Sequence, residues 1–183
     1  MQKNRWKGVV SVGTIMLILG ALLYIPQTVS VSNSVDGREL PIYCVETDKK
    51  QVALSFDAAW GNEDTEEILS ILKKHNVHAT FFMTGGWVEN YPNDVKAILA
   101  AGHDLGNHSE NHKNMSQLSN EEKKQEIIKT HEKVKSLTGY EMCLFRPPYG
   151  DYDNDVVNTA KSCGYYTIQW DVDSQVTEII ISY

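Results

Sequence analysis

Residues 103–112 read His-Asp-Leu-Gly-Asn-His-Ser-Glu-Asn-His. A short run from His103 to Gly106 has the length of a strand, and His108-Ser109-Glu110-Asn111-His112 has the composition of a segment that follows one. If that segment is helical or turn-like, its two imidazoles project in nearly the same direction, which suits a shared divalent metal. Two exposed histidines on a surface loop give the same pattern, so the rest of the chain has to decide.

Outward from this stretch the chain alternates short apolar runs with helix-like segments. Val52 to Phe56 reads as a buried strand, and Glu63 to His75 as a helix with Ile68, Leu69, Ile71 and Leu72 on one face behind acids in its first turn. Val77 to Thr84 is a second strand, and Trp87 to Ala101 a helix closed by Gly102. Ser119-Asn120-Glu121-Glu122 opens a long helix through Leu137, with Gly139 beyond its end. Met142 to Phe145, Asp155 to Ser162 and Tyr165 to Val172 read as strand, helix and strand.

Alternation of this kind implies parallel strands, in a doubly wound sheet or in a barrel. Ligands in such folds gather beyond the carboxyl ends of the strands. Asp57, the pair His108 and His112, and Arg146 each follow the end of a different expected strand. Three separate stretches on one rim favour the metal reading of HSENH over the surface loop.

The bulk composition fits a single globular domain with an appendage: 183 residues, 42% hydrophobic and 22% charged. Lys3, Arg5 and Lys7 are the only charges of the first thirty residues, so the remainder sets 14 basic against 24 acidic side chains, a formal −10. That balance argues against a nucleic-acid groove. Cys44, Cys143 and Cys163 show no metal-binding spacing; Cys143 and Cys163 as a disulfide, or buried free thiols, both remain open.

Residues 1–8 are basic and residues 9–25 apolar, the order of a signal sequence or an uncleaved membrane anchor, so 1–30 implies export, with the protein membrane-anchored or secreted after cleavage. Residues 31–50 read as a linker with one short strand at Leu40 to Val45.

The rim residues form a chemically sensible set. Neutral imidazoles bind a divalent ion, which lowers the pKa of its water to about 7 and polarises a carbonyl. Asp57 would take the proton of that water, although an Asp capping the turn after a strand is common. Arg146, ahead of Pro147-Pro148 with their fixed φ, would hold the Asp57 carboxylate ionised and oriented. A backbone N–H from the Tyr149-Gly150 turn would meet a developing oxyanion. Together these spell hydrolysis of an ester or an amide.

From about Lys50 to Asp173 the chain resembles the polysaccharide deacetylases, carbohydrate esterase family four with its NodB homology domain. Ser55-Phe56-Asp57 resembles the family's T-F-D-D motif, HSENH its H-S/T-x-x-H motif and Phe145-Arg-Pro-Pro-Tyr-Gly150 its R-P-P-Y/F-G motif. Asn76 to Phe82 resembles its second strand, and Trp170 to Ser174 the start of a fourth motif. The resemblance implies a (β/α) barrel, here partial, over residues 51–174, with 175–183 a divergent tail. It implies a hydrolase that removes acetyl groups from a cell-wall polysaccharide with a divalent metal, zinc first or else cobalt, nickel or manganese. Residue by residue it makes Asp57 the general base, Arg146 its orienting partner and His108 and His112 the metal ligands. Tyr149, with Pro148 beside it, would serve the oxyanion and the substrate. The wording Ser55 to Thr65, SFDAAWGNEDT, with an N-terminal anchor, is most similar to the sporulation-associated branch, which points to peptidoglycan.

Two departures stand out. The family's second, metal-binding Asp is replaced by Ala58, and no residue matches its late L-x-H motif, since the last histidine is His131. Loss of an acid of that kind costs about a hundredfold to ten-thousandfold in rate. With five strands the barrel would stay open, leaving exposed edges, as expected of a prematurely ended product. A homologue that only binds glycan, or does not fold stably, is the alternative.

Overall fold

A computed structural model of the chain describes residues 34–173. The leader at 1–30 and the tail at 175–183 therefore lie outside the described residues, among which no helix is long and apolar enough to cross a membrane. A small antiparallel hairpin, β1 (Ser34–Val35) and β2 (Arg38–Glu39), comes first, turning through Asp36 and Gly37 at positive φ. The main sheet follows as β3 (Ser55–Ala58), β4 (Thr80–Met83), β5 (Asp104–Asn107), β6 (Leu144–Phe145) and β7 (Tyr166–Thr167). All its pairings are parallel and the spatial order is the chain order, β3-β4-β5-β6-β7. A doubly wound sheet reverses its order part-way. Here it never reverses, which is the arrangement of consecutive barrel units.

The helices between the strands are α1 (Thr65–His75), α2 (Gly85–Asn90), α3 (Pro92–Ala100), α4 (Asn120–Thr138) and α5 (Asn154–Ser162). Their ends follow local chemistry. α1 carries Glu66 and Glu67 in its first turn, Lys73, Lys74 and His75 in its last, and stops at Asn76 in the left-handed region. α4 begins in a capping box: the Glu122 N–H donates to the Ser119 hydroxyl, and the Ser119 N–H donates to the Glu122 carboxylate at 2.9 Å. Met83, Val95, Ile98, Leu105, Ile127, Val134, Phe145 and Val156 are almost fully buried between helices and sheet. Each large side chain of this kind contributes about 1.5–3 kcal/mol by leaving water.

Several expectations shift. The strand expected at Val52 to Phe56 begins only at Ser55, and Val52 is 96% exposed. β3 is an edge strand with β4 as its partner, so the residues ahead of the pairing are not drawn into the core. The single helix expected from Trp87 to Ala101 is two, because Pro92 supplies no N–H and opens α3 as its first residue. Gly102 does close it: the Gly102 N–H donates to Leu99 at 2.9 Å and the His103 N–H to Ile98 at 3.3 Å. Tyr165 to Val172 contracts to two strand residues, and the expected strand at Leu40 to Val45 to one bridge, Ile42 beside Ile168. That bridge, with Ile42 N–H on Thr167 and Gln169 N–H on Ile42, both at 2.8 Å, covers part of the outer edge of β7. Neither reading of the cysteines holds. All three are free thiols, with Cys44 and Cys143 exposed and Cys163 half-buried.

Candidate active site

The parallel ladder continues one residue past the strand ends and delivers the rim side chains. The His108 N–H donates to Met83 at 3.0 Å, and the Arg146 N–H to Asn107 at 2.9 Å. Asp57, the third residue of β3, lies in register with Phe82, which lies in register with Gly106. A side chain at 106 would strike the Phe82 ring, since a Cβ there meets its Cδ1 at 2.4 Å. Glycine thus lets that ring lie across β5, where it carries the Arg146 guanidinium at 4.1 Å from its centroid.

Asp57, His108 and Arg146 interlock. Arg146 donates through Nη1 to Asp57 Oδ1 at 2.7 Å and through Nη2 to Ser55 Oγ at 2.7 Å. Its backbone oxygen lies 2.7 Å from His108 Nδ1. A carbonyl only accepts, so that ring nitrogen carries the proton and Nε2 keeps its lone pair, facing Asp57 Oδ2 at 3.8 Å. His108 is 2% exposed. Burial pushes its imidazole below the ordinary histidine value, with the Asp57 carboxylate pulling the other way. Burial lowers His112 likewise, again opposed by Asp57. The neutral ring, the form that binds metals, is favoured at both.

HSENH is a turn rather than a helix, with Ser109 and His112 at positive φ, and it brings the two ring centroids to 4.9 Å. Tyr149, also at positive φ, sets its ring 4.6 Å from that of His112, and Trp60 approaches the same imidazole at 5.4 Å, both edge-on. Pro148 is buried beneath this turn. Asp151 ties it to the segment beyond HSENH by accepting from the Ser116 hydroxyl at 2.7 Å. Every site residue expected from the sequence is therefore on one rim.

The fit to a metal is partial. His108 presents a free Nε2 backed by a carbonyl on its other nitrogen, the usual support of a ligating imidazole. His112 Nδ1 is buried without a hydrogen-bond partner. Those two imidazoles fit a divalent cation. Among the described residues no group of three His, Cys, Asp or Glu side chains is placed to hold one. The last residue of β3, Ala58, has no donor atom to add.

Other residues hold the site without a role having been assigned to them from the sequence. Ser55 anchors Arg146. Asn107, fully buried, accepts the Ser109 N–H at 2.9 Å and donates to the Ile127 carbonyl at 2.8 Å, fixing the HSENH turn to α4. Glu126, also buried, receives the Asn111 backbone and side-chain N–H groups at 2.7 and 2.8 Å and pairs with Lys113. Glu110 pairs with Lys133 and accepts from Thr130. A signal existed for Glu126: it borders the buried α4 stripe of Lys123, Ile127, Thr130 and Val134, an unusual place for a carboxylate unless it is paired.

Residues 45–168 match the family model for polysaccharide deacetylase. The chain belongs to the polysaccharide deacetylase family. It is 38% identical over 162 residues to the peptidoglycan-N-acetylglucosamine deacetylase of Bacillus cereus, an alignment covering 82% of this chain and 59% of that one. The solved structure of a CE4 family pseudoenzyme from Bacillus anthracis superposes with a TM-score of 0.71 at 41% identity, over 73% of this chain and 48% of that one. PdaA of Bacillus subtilis, a family 4 carbohydrate esterase, gives a TM-score of 0.71 at 33% identity, over 76% and 60% of the two chains. The chain spans about half the length of the curated relatives it matches. As a family, polysaccharide deacetylases are hydrolases of carbohydrate amides and metal-dependent in general.

Proposed function

We propose that this chain acts on the N-acetyl groups of amino sugars in cell-wall peptidoglycan, hydrolysing the amide to acetate and a free amine. The observation that carries this reading is the lock of Asp57, Arg146 and His108 on the carboxyl rim of the sheet. Arg146, fixed by Ser55 and by the Phe82 ring, leaves Asp57 Oδ2 directed into the site as the general base. Asp57 takes a proton from the attacking water as its oxygen bonds to the acetyl carbon. The backbone N–H of Tyr149, beside Pro148, donates to the carbonyl oxygen as negative charge gathers there. When the C–N bond breaks, the proton held by Asp57 is available to the departing nitrogen. His108 and His112 would hold the divalent metal, with zinc the first choice for two imidazoles; when bound, it supplies Lewis acidity to the acetyl carbonyl.

The finer assignment, the wall of a spore-forming bacterium, is supported by the SFDAAWGNEDT wording and by relatives from Bacillus. The basic and apolar residues of 1–25 would export the domain, as an anchor or a cleaved signal, and so bring it to that substrate.

The test is acetate release from N-acetylated peptidoglycan or chitooligosaccharide with metal supplied. Release is expected to stop with a chelator and to fall by about a hundredfold to ten-thousandfold in Asp57→Ala. No release from the wild type under these conditions overturns the catalytic reading. Ala58 favours a second reading, glycan binding without turnover, because the metal site is one protein ligand short. Calorimetry separates the two, since only this reading requires heat of binding with no acetate.

A further inference from the structure

One feature of the rim is used neither by the lock nor by the metal pair. Trp60 is 74% exposed, although indole is among the costliest side chains to leave in water. Its loop is nonetheless firmly held. Ahead of it the Ala58 carbonyl accepts from the Thr84 N–H at 3.1 Å. After it the Gly61 carbonyl accepts from Trp87 Nε1 at 3.0 Å, and Asn62 Nδ2 donates to Asp94 Oδ2 at 2.7 Å. Thr84, the cap of α2, holds the chain ahead of Trp60, and α2 and α3 hold it behind, while the indole stays outside. Across His112 stands Tyr149, 65% exposed. Two exposed aromatic rings therefore flank one imidazole of the site, each touching it edge-on.

A rigidly presented aromatic ring beside a polar site is a platform for a ligand that is polar at its rim and apolar on its face. Pyranose rings have this character. In a β-linked N-acetylhexosamine the axial C–H groups form an apolar face, while hydroxyl and acetamido groups point outward. We propose that Trp60 stacks on that face and, with Tyr149, forms an aromatic subsite that sets the register of the glycan chain over Asp57. The proposal rests on the glycan reading above and adds the residue that grips the sugar. Trp60 contributes binding and positioning and takes no part in proton transfer.

The full chain, wild type and Trp60→Ala, is titrated by calorimetry and by tryptophan fluorescence. The two probes are chitopentaose and glycan strands prepared from peptidoglycan. Trp60→Ala is expected to raise Kd by about tenfold or more, the scale of a lost aromatic stacking contact. Trp60→Phe should restore most of that affinity. Tm should move by no more than about 2 °C, because the indole is largely unpacked. Whichever probe binds in this Trp60-dependent way names the polymer. Unchanged Kd in Trp60→Ala for every probe the wild type binds, or no binding of either probe by the wild type, overturns the proposal. Trp60-dependent binding without acetate release upholds it while the catalytic reading falls. Acetate release with an unaltered KM in Trp60→Ala does the reverse.

Discussion

Strand β5 carries a histidine at each end, and each is paired with another. At the amino end His103 meets His78 with ring centroids 5.9 Å apart; at the carboxyl end His108 meets His112 at 4.9 Å. Both pairs are tilted by a little over 60°. Residue type, spacing in space and burial of the inner ring are nearly matched, and the two ends still differ in kind. His103 Nδ1 accepts the Ala79 N–H at 3.3 Å, so its lone pair is spent on the fold. His108 gives its Nδ1 proton to a carbonyl and keeps a lone pair for the rim, where Asp57 and Arg146 wait. A parallel sheet puts its loops of variable chemistry at the carboxyl ends. Pairing of histidines alone does not mark a site; the direction of the spare nitrogen does.

The largest effect that would sharpen this contrast is at Ala58. Ala58→Asp restores the carboxylate that the family carries there, and zinc affinity is expected to rise by about a hundredfold, measured by competition with a chromophoric chelator. A lost outer-shell partner already costs about ten- to a hundredfold in metal affinity, and a ligand should matter more. Ala58 packs partly against the apolar core, in register with Met83. Unchanged affinity with a lower Tm would mean that a side chain at 58 faces that core, and the carboxyl-end pair would then have to hold a metal without help from that position.

Much of this difference was legible in the sequence, and the part that was not has a physical reason. Asp57, HSENH and Arg146 stand out because each polar group closes a short apolar run, a local pattern. α4 was legible from its capping box and Gly139. The break at Pro92 was also local, and the apolar period running across it hid the break. What the residues themselves do not display is long-range. Ser55 meets Arg146 91 positions away, and Ile42 reaches the edge of β7 across an interval nearly as long as the domain. In the sequence Asn107 is one more amide near a strand end and Trp60 one more loop aromatic; only the fold shows that the first is fully buried and the second 74% exposed.

A smaller effect is expected at the amino end. Gly102 has φ +84°, and a Cβ there would come within 3.3 Å of His78 Nε2. The His78 ring is exposed and can move, so backbone strain is the main cost of Gly102→Ala, about 1 kcal/mol by urea denaturation. Metal and glycan affinity should be unchanged. A loss of either would show that the two ends of β5 are coupled.

The smallest effect concerns protons. Burial holds the His103 imidazole below its ordinary value, His78 adds to the depression, and Asp104 opposes it. A folded value below the unfolded 6.5 means that the folded chain binds fewer protons there. The stability tied to neutral His103 is present above pH 6.5 and is lost as pH falls through 6.5 to the folded value. Protonation also removes the acceptor for the Ala79 N–H. His108 and His112 are depressed as well, so the wild type should lose Tm between pH 7.5 and pH 5 from both ends of the sheet. His103→Asn separates them, because an amide oxygen still accepts from Ala79 and does not titrate in this range. Its Tm is expected to fall less over that interval than that of the wild type. An equal fall would place all of the acid sensitivity at the carboxyl rim, and His103 would then be a packing residue whose charge state the fold does not register.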